Sequence, residues 1–266
     1  MKILFVYTNV NGYHHDNFHF GLASLVSAVI DNGHTAKVQV VLNTNEYSTM
    51  EKLINDFKPE MCCFTSVSSQ FHHVFELSKM AKNNVKDMII VLGGVHPTLA
   101  PELLLEAPHI DYIIKGEGEL ALNELIDNIE TNGMDINIET NGMTTTIEEN
   151  SMDKILSTHN LCYVKDGKLI QNDLLPLVED LDILSPPNKD IYPYYESSIM
   201  STGMAPFFFT RGCPYTCTYC FNQFVAEIYG RKRNFPRFRS AKACVDEILS
   251  VVDKHSEEIN SIYIGD

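Results

Sequence analysis

The chain has 266 residues, of which 44% are hydrophobic, and its formal net charge is −15. This composition supports a buried core and excludes a disordered chain. The negative charge argues against general nucleic-acid binding, which needs a basic face, and no apolar run reaches the roughly 18 residues of a membrane helix. We therefore expect a cytoplasmic protein, without a secretory signal, that binds neither nucleic acid nor membrane.

The first 130 residues alternate short apolar runs with helix-like segments. The clearest helical pattern runs from Leu22 to Ile30 with apolar residues at i, i+3, i+4 and i+7, and Gly33 can end that helix. Short apolar runs between helices are typical of strands buried on both faces of a parallel sheet. The alternation predicts an α/β, doubly wound, flavodoxin-like sheet. The predicted strands cover residues 2–7, 35–42, 61–66, 87–92 and 111–115.

The middle of the chain is less regular. Residues 129–143 contain the sequence IETNGM twice, which we interpret as a surface loop lengthened by slippage. Residues 161–171 predict a hairpin that turns at Asp166 and Gly167, and the pair at 186–187, Pro-Pro, marks a linker. Three segments are therefore expected, namely a first domain, a linker with a hairpin, and a second domain, at residues 1–143, 144–200 and 201–266.

The second domain begins with an apolar strand, APFFFTRG, that leads into a cysteine cluster. Ser240 is a predicted helix N-cap, and a buried strand is predicted in SIYIGD. One strand–helix–strand unit cannot close a barrel, so we expect a truncated domain and a chain with little catalytic activity of its own. The helix after Ser240 is expected to bury one apolar face made of Val245, Ile248, Leu249 and Val252.

Three of the seven cysteines, Cys213, Cys217 and Cys220, have C-x3-C-x2-C spacing. Clustered cysteines in a reducing compartment favour metal binding over disulfides. Structural zinc needs four ligands, and no fourth Cys or His lies nearby in the sequence, whereas a four-iron cluster can leave one iron open. An iron–sulfur cluster is favoured, with zinc and purely structural cysteines as alternatives. The other cysteines lie in apolar segments and are interpreted as structural: Cys62, Cys63, Cys162 and Cys244.

The sequence TRGCPYTCTYCFN resembles the cluster-binding motif of the radical S-adenosylmethionine (SAM) superfamily. The resemblance implies a partial (β/α)6 TIM-like barrel and a [4Fe-4S] cluster whose open iron binds SAM. It implies that Tyr219 lies near the adenine and that Gly265 and Asp266 belong to a SAM-binding loop. It also implies a low-potential electron donor such as ferredoxin or flavodoxin. Arg211 and Arg239 are similar to arginines that recur in this superfamily.

Basic residues concentrate between positions 231 and 239. Two interpretations remain open, a solvated basic loop and a contact with an anionic substrate or cofactor. The residues concerned are Arg231, Lys232, Arg233, Arg237 and Arg239.

The loops predicted at the carboxyl ends of the strands, where doubly wound sheets bind ligands, are rich in glycine, serine and histidine. Their order resembles that of the cobalamin-binding domain found in front of one large class of radical SAM enzymes, with Gly21 closing the first loop. The resemblance implies bound cobalamin, with small residues that let the backbone approach a bulky ligand. The implied cobalamin-binding residues are Ser66, Ser68, Gly93, Gly94, Gly116, Glu117 and Gly118.

The first loop departs from the cobalt-ligating motif D-x-H-x-x-G, because Asp16, His19 and Gly21 stand in the register D-x-x-H-x-G. We therefore do not expect a protein histidine on cobalt, and members of this class also occur without the motif. The histidines of these loops are interpreted as polar loop residues: His14, His15, His19 and His96.

Together the two resemblances imply a cobalamin-dependent radical SAM enzyme that transfers a methyl group to an unactivated carbon or phosphorus of a small-molecule substrate. One alternative is a radical SAM cyclase or another non-methylating radical reaction. A second alternative is a non-catalytic cobalamin- or ligand-binding protein with a structural zinc site.

Overall fold

The computed structural model describes residues 1–12, 18–131, 136–140, 143–147, 151–192, 194, 196, 199–231 and 236–265. Strands and helices alternate through most of these residues. The strands are β1 (Lys2–Thr8), β2 (Thr35–Val41), β3 (Met61–Thr65), β4 (Ile89–Gly93), β5 (Tyr112–Ile114), β6 (Ile136–Thr140), β7 (Met143–Ile147), β8 (Leu161–Lys165), β9 (Lys168–Gln171), β10 (Met204–Phe207), β11 (Thr210–Arg211), β12 (Arg237–Phe238) and β13 (Ser261–Ile264). The α-helices are α1 (Phe20–Asp31), α2 (Tyr47–Phe57), α3 (Phe71–Asn84), α4 (Val95–Leu99), α5 (Glu119–Thr131), α6 (Ser151–Leu156), α7 (Met200–Thr202), α8 (Phe221–Ile228) and α9 (Ala241–Lys254).

Seven strands form one sheet in the order β2-β1-β3-β4-β5-β8-β9. Strands β1 to β5 are parallel, and β8 and β9 extend the sheet antiparallel. The predicted fold class, an α/β doubly wound parallel sheet, is confirmed. Because β1 lies between β2 and β3, the strand order reverses there, and sheets of this kind bind ligands at such a reversal.

Both faces of the sheet are buried, because successive residues of a strand point to opposite faces. In β1, Ile3 and Phe5 join one core with α1 and α5, whereas Leu4 and Val6 join a second core with α2 and α3. All four side chains are fully buried. Burial on both faces explains why the strands are continuously apolar in sequence rather than alternating.

The C-terminal part of the chain packs on the first of these cores. Phe18, just before α1, contacts Tyr192 and Tyr194 edge-on, with ring centroids 4.5 and 4.8 Å apart. Phe207 of β10 and Val251 of α9 belong to the same buried cluster. A shared apolar core therefore fixes the C-terminal strands and helices against the α1 side of the sheet.

Strands β10 and β13 pair in parallel, and the segment between them carries β11, α8, β12 and α9. This is the first strand–helix–strand arrangement of the second predicted domain. The prediction that β13 is a buried strand is wrong, because Ile262, Tyr263 and Ile264 are 44%, 50% and 52% exposed. The described residues cover β13 only on the side of β10, so its apolar side chains keep contact with solvent.

The N-cap prediction for α9 is confirmed, because Ser240 Oγ accepts a hydrogen bond from the Ala243 amide at 3.2 Å. The predicted buried face is partly wrong, since Val245 and Leu249 are half exposed. The helix instead turns Glu247 and Val251 inwards, with Glu247 only 4% exposed. Glu247 is buried in an ion pair with Lys189, so the inward side of the helix includes a charged residue that hydrophobicity alone does not predict.

The predicted hairpin is confirmed in β8 and β9, with Asp166 and Gly167 at positive φ in the turn. It belongs to the main sheet through β5, although we expected it within a linker, and the predicted domain bounds stay a prediction. The described residues of the IETNGM duplication were expected to form a loop. They instead end α5 and form the antiparallel pair β6 and β7; positions 132–135 and 141–142 lie outside the described residues.

Among the described residues, no helix is both long enough and apolar enough to span a bilayer. Three cysteines interpreted as structural, Cys62, Cys63 and Cys162, are buried. Burial raises the pKa of the Cys162 thiol to about 11, and it raises the pKa of the Cys63 thiol further. These thiols stay protonated at neutral pH and behave as small apolar side chains.

Asn160 joins three segments of the fold and provides a test of it. Its fully buried side chain donates from Nδ2 to the carbonyls of Lys115 (2.7 Å) and Glu117 (3.2 Å), and Oδ1 accepts from the Leu175 amide at 2.7 Å. Its φ is +62°, a left-handed conformation that asparagine tolerates better than alanine. We expect Asn160→Ala to lower the free energy of unfolding in urea by about 2–4 kcal/mol.

The matched control is Asn84→Ala, because Asn84 makes one exposed hydrogen bond of 3.3 Å with Glu51. This control is expected to change the free energy of unfolding by less than about 0.5 kcal/mol. Equal stability of the two variants would contradict the role given to Asn160.

Candidate functional site

The loops after β1 and β3 meet at the point where the strand order reverses. Gln70, which is 8% exposed, accepts from the Val10 amide at 2.9 Å and donates from Nε2 to the Val10 carbonyl at 3.2 Å. One side chain thus satisfies both backbone groups of Val10. These two hydrogen bonds join the described parts of the two loops above β1 and β3.

The loop after β4 is fixed to the loop after β3 by a tight backbone contact. Gly94 has a φ of +97°, and a Cβ there would lie 2.7 Å from Thr65 Oγ1 and 2.9 Å from the Ser66 amide nitrogen. The Ser66 amide in turn donates to the Gly93 carbonyl at 3.0 Å. The fold of the chain itself therefore requires glycine at 94.

Gly93 differs from Gly94. A Cβ on Gly93 would meet its nearest protein atom, the Ile114 carbonyl oxygen, at 3.7 Å, which is ordinary van der Waals contact. The surrounding protein therefore does not demand glycine at this position. Close approach of a ligand to the backbone gives such a residue a reason to be glycine.

His96 lies on α4 beside these glycines. Its Nδ1 is 3.0 Å from Ser68 Oγ, and its ring contacts Phe71 with centroids 4.8 Å apart. Burial lowers the pKa of His96, opposed by the charge of Glu102, so the imidazole is neutral at pH 7. Of the predicted cobalamin-binding residues, the structure brings Ser66, Ser68, Gly93 and Gly94 together at this edge.

The histidines of the first loop divide into two groups. His14 and His15, with Asp16, lie outside the described residues. His19 is the N-cap of α1, where Nδ1 accepts from the Leu22 amide at 3.0 Å. Burial lowers its pKa, which suits a neutral ring that accepts at Nδ1. Within the described residues His19 thus has a structural task.

The loop after β5, with the sequence GEGE, faces the C-terminal part of the chain. Gly116 has a φ of +72°, and a Cβ there would lie 2.2 Å from the hydroxyl oxygen of Tyr229. That hydroxyl accepts from the Glu117 amide at 3.1 Å. Gly118 is close to α1, since its Cβ would lie 3.1 Å from Leu25 Cδ2. Glycine is thus required at 116 by the backbone conformation and by Tyr229, whereas a side chain at 118 would have to displace the end of Leu25 by a few tenths of an ångström.

Glu117 forms ion pairs with two arginines that lie about 100 positions later in the sequence. Arg237 donates to its carboxylate from Nη1 at 3.0 Å and from Nη2, and Arg211 Nη1 lies 3.5 Å away. Burial works to raise the pKa of Glu117, but the hydrogen bond from Arg237 and the charges of both arginines hold it below its ordinary value.

Glu119 completes this group of charges. Arg211 Nη2 donates to Glu119 Oε1 at 2.5 Å, and the Glu119 side chain is 6% exposed. Burial opposes the charge of Arg211, but the carboxylates of Glu119 and Glu117 outweigh it and raise the pKa of the guanidinium. We call these four residues, Glu117, Glu119, Arg211 and Arg237, the charge network.

The structure corrects the interpretation of the basic run at positions 231–239 as a solvated loop. Arg237 and Arg239 do not belong to a solvated loop, because their side chains are 5% and 10% exposed. Arg231 pairs with Glu179 at the surface. Lys232 and Arg233 lie outside the described residues.

The cysteine motif follows Arg211 directly. Cys213 and Cys220 are half-buried and Cys217 is exposed, and none forms a disulfide. The Cys220 amide donates to the Cys217 carbonyl at 3.0 Å, and Cys220 is the residue before α8. A helix N-terminus favours negative charge on a neighbouring thiolate or cluster.

In the described part of the chain, no three Cys, His, Asp or Glu side chains converge as a metal site. The donor set nevertheless has the chemistry that an iron–sulfur cluster needs, namely three free thiols within one loop. Tyr219, predicted near the adenine of SAM, is 90% exposed and Gly265 is buried. Asp266 lies outside the described residues.

An open groove of about 720 Å³ lies beside the charge network. Lys115, Asp173, Tyr229 and Arg231 contribute its polar lining, and leucines 174, 175 and 177 much of its apolar lining. Its volume is in the range of small-molecule sites. Hydrophobic patterning predicted neither Tyr229, which lines this groove, nor Gln70, which joins the loops after β1 and β3, because a single polar residue carries no periodic signal.

Comparison with known proteins finds a family match in the first part of the chain. Residues 3–126 match the B12 binding domain. This span includes every predicted cobalamin-binding residue and both carboxylates of the charge network. It ends before the cysteine motif.

Two curated relatives share sequence with the chain. An uncharacterized methyltransferase, PH0819 of Pyrococcus horikoshii, is 27% identical over 201 residues, which are 75% of this chain and 39% of the relative. The anaerobic magnesium-protoporphyrin IX monomethyl ester cyclase of Rubrivivax gelatinosus is 27% identical over an alignment of 271 positions, which covers 96% of this chain and 43% of the cyclase. The chain thus spans about two fifths of the length of these relatives.

Two solved structures share the fold. The cobalamin-dependent S-adenosylmethionine radical enzyme OxsB, with aqua-cobalamin and S-adenosylmethionine bound, superposes with a TM-score of 0.73 at 21% identity, covering 100% of this chain and 34% of OxsB. The radical S-adenosylmethionine methyltransferase TsrM from Kitasatospora setae, with cobalamin and a [4Fe-4S] cluster bound, gives 0.65 at 16% identity, covering 100% and 49%. The similarity of fold therefore extends beyond residues 3–126 to the rest of the chain.

The charge network predicts a pH dependence of stability. Because the pKa of Glu117 is held below its ordinary value of 4.5, its contribution is complete above about pH 4.5 and is lost as the pH falls through the lowered pKa. We expect Glu117→Gln to reduce the free energy of unfolding at pH 7 by about 2–4 kcal/mol. Between pH 6 and 3.5 the variant is expected to lose less stability than the wild type.

The matched control is Glu179→Gln, whose carboxylate is 65% exposed in its pair with Arg231. Exposed pairs contribute at most about 1 kcal/mol, so this variant is expected to follow the wild-type curve. Denaturant unfolding at each pH measures both variants. Parallel pH profiles of wild type and Glu117→Gln would contradict the assignment.

Proposed function

We propose that this chain forms the cobalamin-binding part and the cluster-binding loop of a cobalamin-dependent radical SAM enzyme. One observation carries the proposal. Residues 3–126 match the B12 binding domain, and Glu117 and Glu119 at the end of this span form ion pairs with Arg211. Arg211 stands two residues before the C-x3-C-x2-C motif. A B12 binding domain alone would not account for the thiols, and the thiols alone would not account for the carboxyl edge of the sheet. The proposal explains why the two features are held in contact.

The cobalamin site is proposed at the carboxyl edge of β1, β3 and β4. Ser66, Ser68 and His96 offer polar groups there, and Gly93 offers backbone without a side chain. Doubly wound sheets bind nucleotide-like ligands at this edge near the strand reversal. Gly116 and Gly118 contribute by shaping the neighbouring loop. No protein histidine is proposed as a ligand of cobalt.

The cluster is proposed on Cys213, Cys217 and Cys220. Three thiolates so close together repel one another unless a metal neutralises them, and the start of α8 favours their negative charge. By resemblance to the radical SAM motif, we propose that SAM binds the iron that has no cysteine ligand, with Tyr219, Gly265 and Asp266 nearby. These residues hold and orient the cofactors.

When bound, the cluster with SAM supplies radical chemistry and cobalamin serves as a methyl carrier. Methyl transfer to an unactivated carbon or phosphorus of a small molecule is the favoured reaction, supported by the methyltransferase names of PH0819 and TsrM. Radical cyclisation is the second candidate, supported by the 96% coverage of this chain in the match to the Rubrivivax cyclase. We further propose a cytoplasmic location and a ferredoxin or flavodoxin as the electron donor. The alternative to be tested is a structural zinc site at the three-cysteine motif.

Cobalamin binding can be tested at Gly93. Substitution by alanine places a methyl group where protein atoms allow it, with the nearest atom at 3.7 Å, so the fold is expected to persist while the ligand loses its close approach. We expect hydroxocobalamin to bind wild type with a change in its visible spectrum. Gly93→Ala is expected to weaken binding about tenfold or more.

The control is Lys86→Ala, because Lys86 is exposed between α3 and β4, at the amino ends of the strands. Unfolding curves verify that both variants are folded. Absence of hydroxocobalamin binding by wild type would contradict the cobalamin site, and wild-type affinity in a folded Gly93→Ala variant would contradict its location.

Cluster binding can be tested by anaerobic reconstitution with iron and sulfide. We expect close to four irons per chain and, after reduction, an electron paramagnetic resonance (EPR) signal of a four-iron cluster. Replacing Cys213, Cys217 or Cys220 by alanine is expected to abolish the signal. Cys244→Ser is the control, because Cys244 lies on α9 outside the motif.

Two results would overturn the cluster assignment. Stable binding of one zinc with no iron–sulfur signal would favour the structural zinc alternative. Loss of the signal in Cys244→Ser together with an intact signal in the motif variants would place the cluster elsewhere.

A further inference from the structure

The short ladder that precedes the cysteine motif contains an unfavourable charge pair. β11 and β12 are antiparallel, and Arg211 stands directly opposite Arg237. Like charges at opposite positions of a strand pair are destabilising, and each of these strands has only two residues. The ladder therefore needs negative charge from another part of the chain.

The loop after β5 supplies that charge. Glu117 contacts both arginines and Glu119 contacts Arg211. The two carboxylate side chains are 20% and 6% exposed, and Arg237 is 5% exposed. Pairs that are this far removed from water are costly to break, because one partner is left as a buried uncompensated charge.

Glu117 also fixes the far end of the cysteine segment. Its amide donates to the hydroxyl of Tyr229 at 3.1 Å, and Tyr229 directly follows α8. The cysteine motif and α8 thus span the chain between two anchors, Arg211 and Tyr229, and both anchors contact the same residue of the B12 binding domain.

Every polar group of Glu117 has a partner within the chain. The carboxylate accepts from Arg237 and from the Val178 amide at 3.3 Å, and the carbonyl accepts from Asn160 Nδ2 at 3.2 Å. Contact of Glu117 with cobalamin stays a prediction. Its hydrogen bonds within the chain give it a task of its own inside the protein.

We propose that Glu117 is a positioning residue that fixes the cysteine segment, between Arg211 and Tyr229, against the carboxyl edge of the B12 binding domain. This inference rests on the proposed function for its purpose, since fixing the segment sets how a cluster faces a ligand on the sheet. The contacts themselves belong to the chain without cofactors. They can be tested in both forms.

The first test uses the full chain without cofactors. Hydrogen–deuterium exchange is followed in peptides covering residues 208–221 and, as a reference, β1 and β3. We expect Glu117→Gln to speed exchange of the 208–221 amides about tenfold or more. Labelling times are kept so short that the amides of β1 and β3, which open only with global unfolding, stay protected in both proteins. Glu179→Gln, which loses a carboxylate bound to Arg231, is the control and is expected to match wild type.

Tyr229→Phe removes one hydroxyl only and serves if Glu117→Gln does not fold. It is expected to speed exchange in 208–221 by a smaller factor than Glu117→Gln. Wild-type exchange rates in residues 208–221 of whichever folded variant is measured would overturn the inference, whatever the chain binds.

The second test uses the protein reconstituted with iron and sulfide. We expect Glu117→Gln to assemble the cluster, because its cysteines are intact. Its EPR signal is expected to be broadened, because a loop with several conformations gives the cluster several different environments. Glu117→Asp, which keeps the charge, is expected to narrow the signal again. An unchanged EPR signal in Glu117→Gln would overturn the inference. Failure of the wild type to assemble a cluster would instead count against the proposed function. In that case the exchange test decides whether Glu117 positions the cysteine segment.

Discussion

The pairing of two largely buried carboxylates with two arginines joins the halves of this molecule. Glu117 and Glu119 stand where β5 gives way to α5, and Arg211 and Arg237 belong to the ladder that flanks the cysteine motif. Apolar packing around Phe18 and Tyr192 brings the two halves together, but such packing is not directional. Charge-assisted hydrogen bonds are directional, and they determine where the cysteine loop lies.

Glycine has two distinct tasks at the carboxyl edge. Gly94 and Gly116 adopt positive φ and would place a Cβ against Thr65 or Tyr229, so the protein itself requires them. Gly93 meets no such obstacle. A glycine-rich loop in a sequence therefore combines residues needed for folding with residues that leave room for a ligand, and only the neighbouring atoms distinguish them.

Much of the sheet could be predicted from the sequence, because a strand buried on both faces must be continuously apolar and α1 must repeat its apolar residues every three or four positions. The N-cap Ser240 could be predicted for the same local reason. The buried face of α9 could not, because Glu247 is buried through an ion pair with Lys189. The charge network was equally hidden, since hydrophobic periodicity does not reveal which arginine meets Glu117 across 120 positions.

The two hydrogen bonds between Gln70 and Val10 have a consequence for the polarity of the edge above β1 and β3. Because one amide side chain satisfies both the N–H and the carbonyl of Val10, this backbone unit has no hydrogen-bonding group left to solvate. Replacing Gln70 by an apolar residue would therefore leave two backbone groups of Val10 without their partner in a region that is largely removed from water. The side chain of Gln70 thus does for two separate loops what a ladder of backbone hydrogen bonds does for two neighbouring strands.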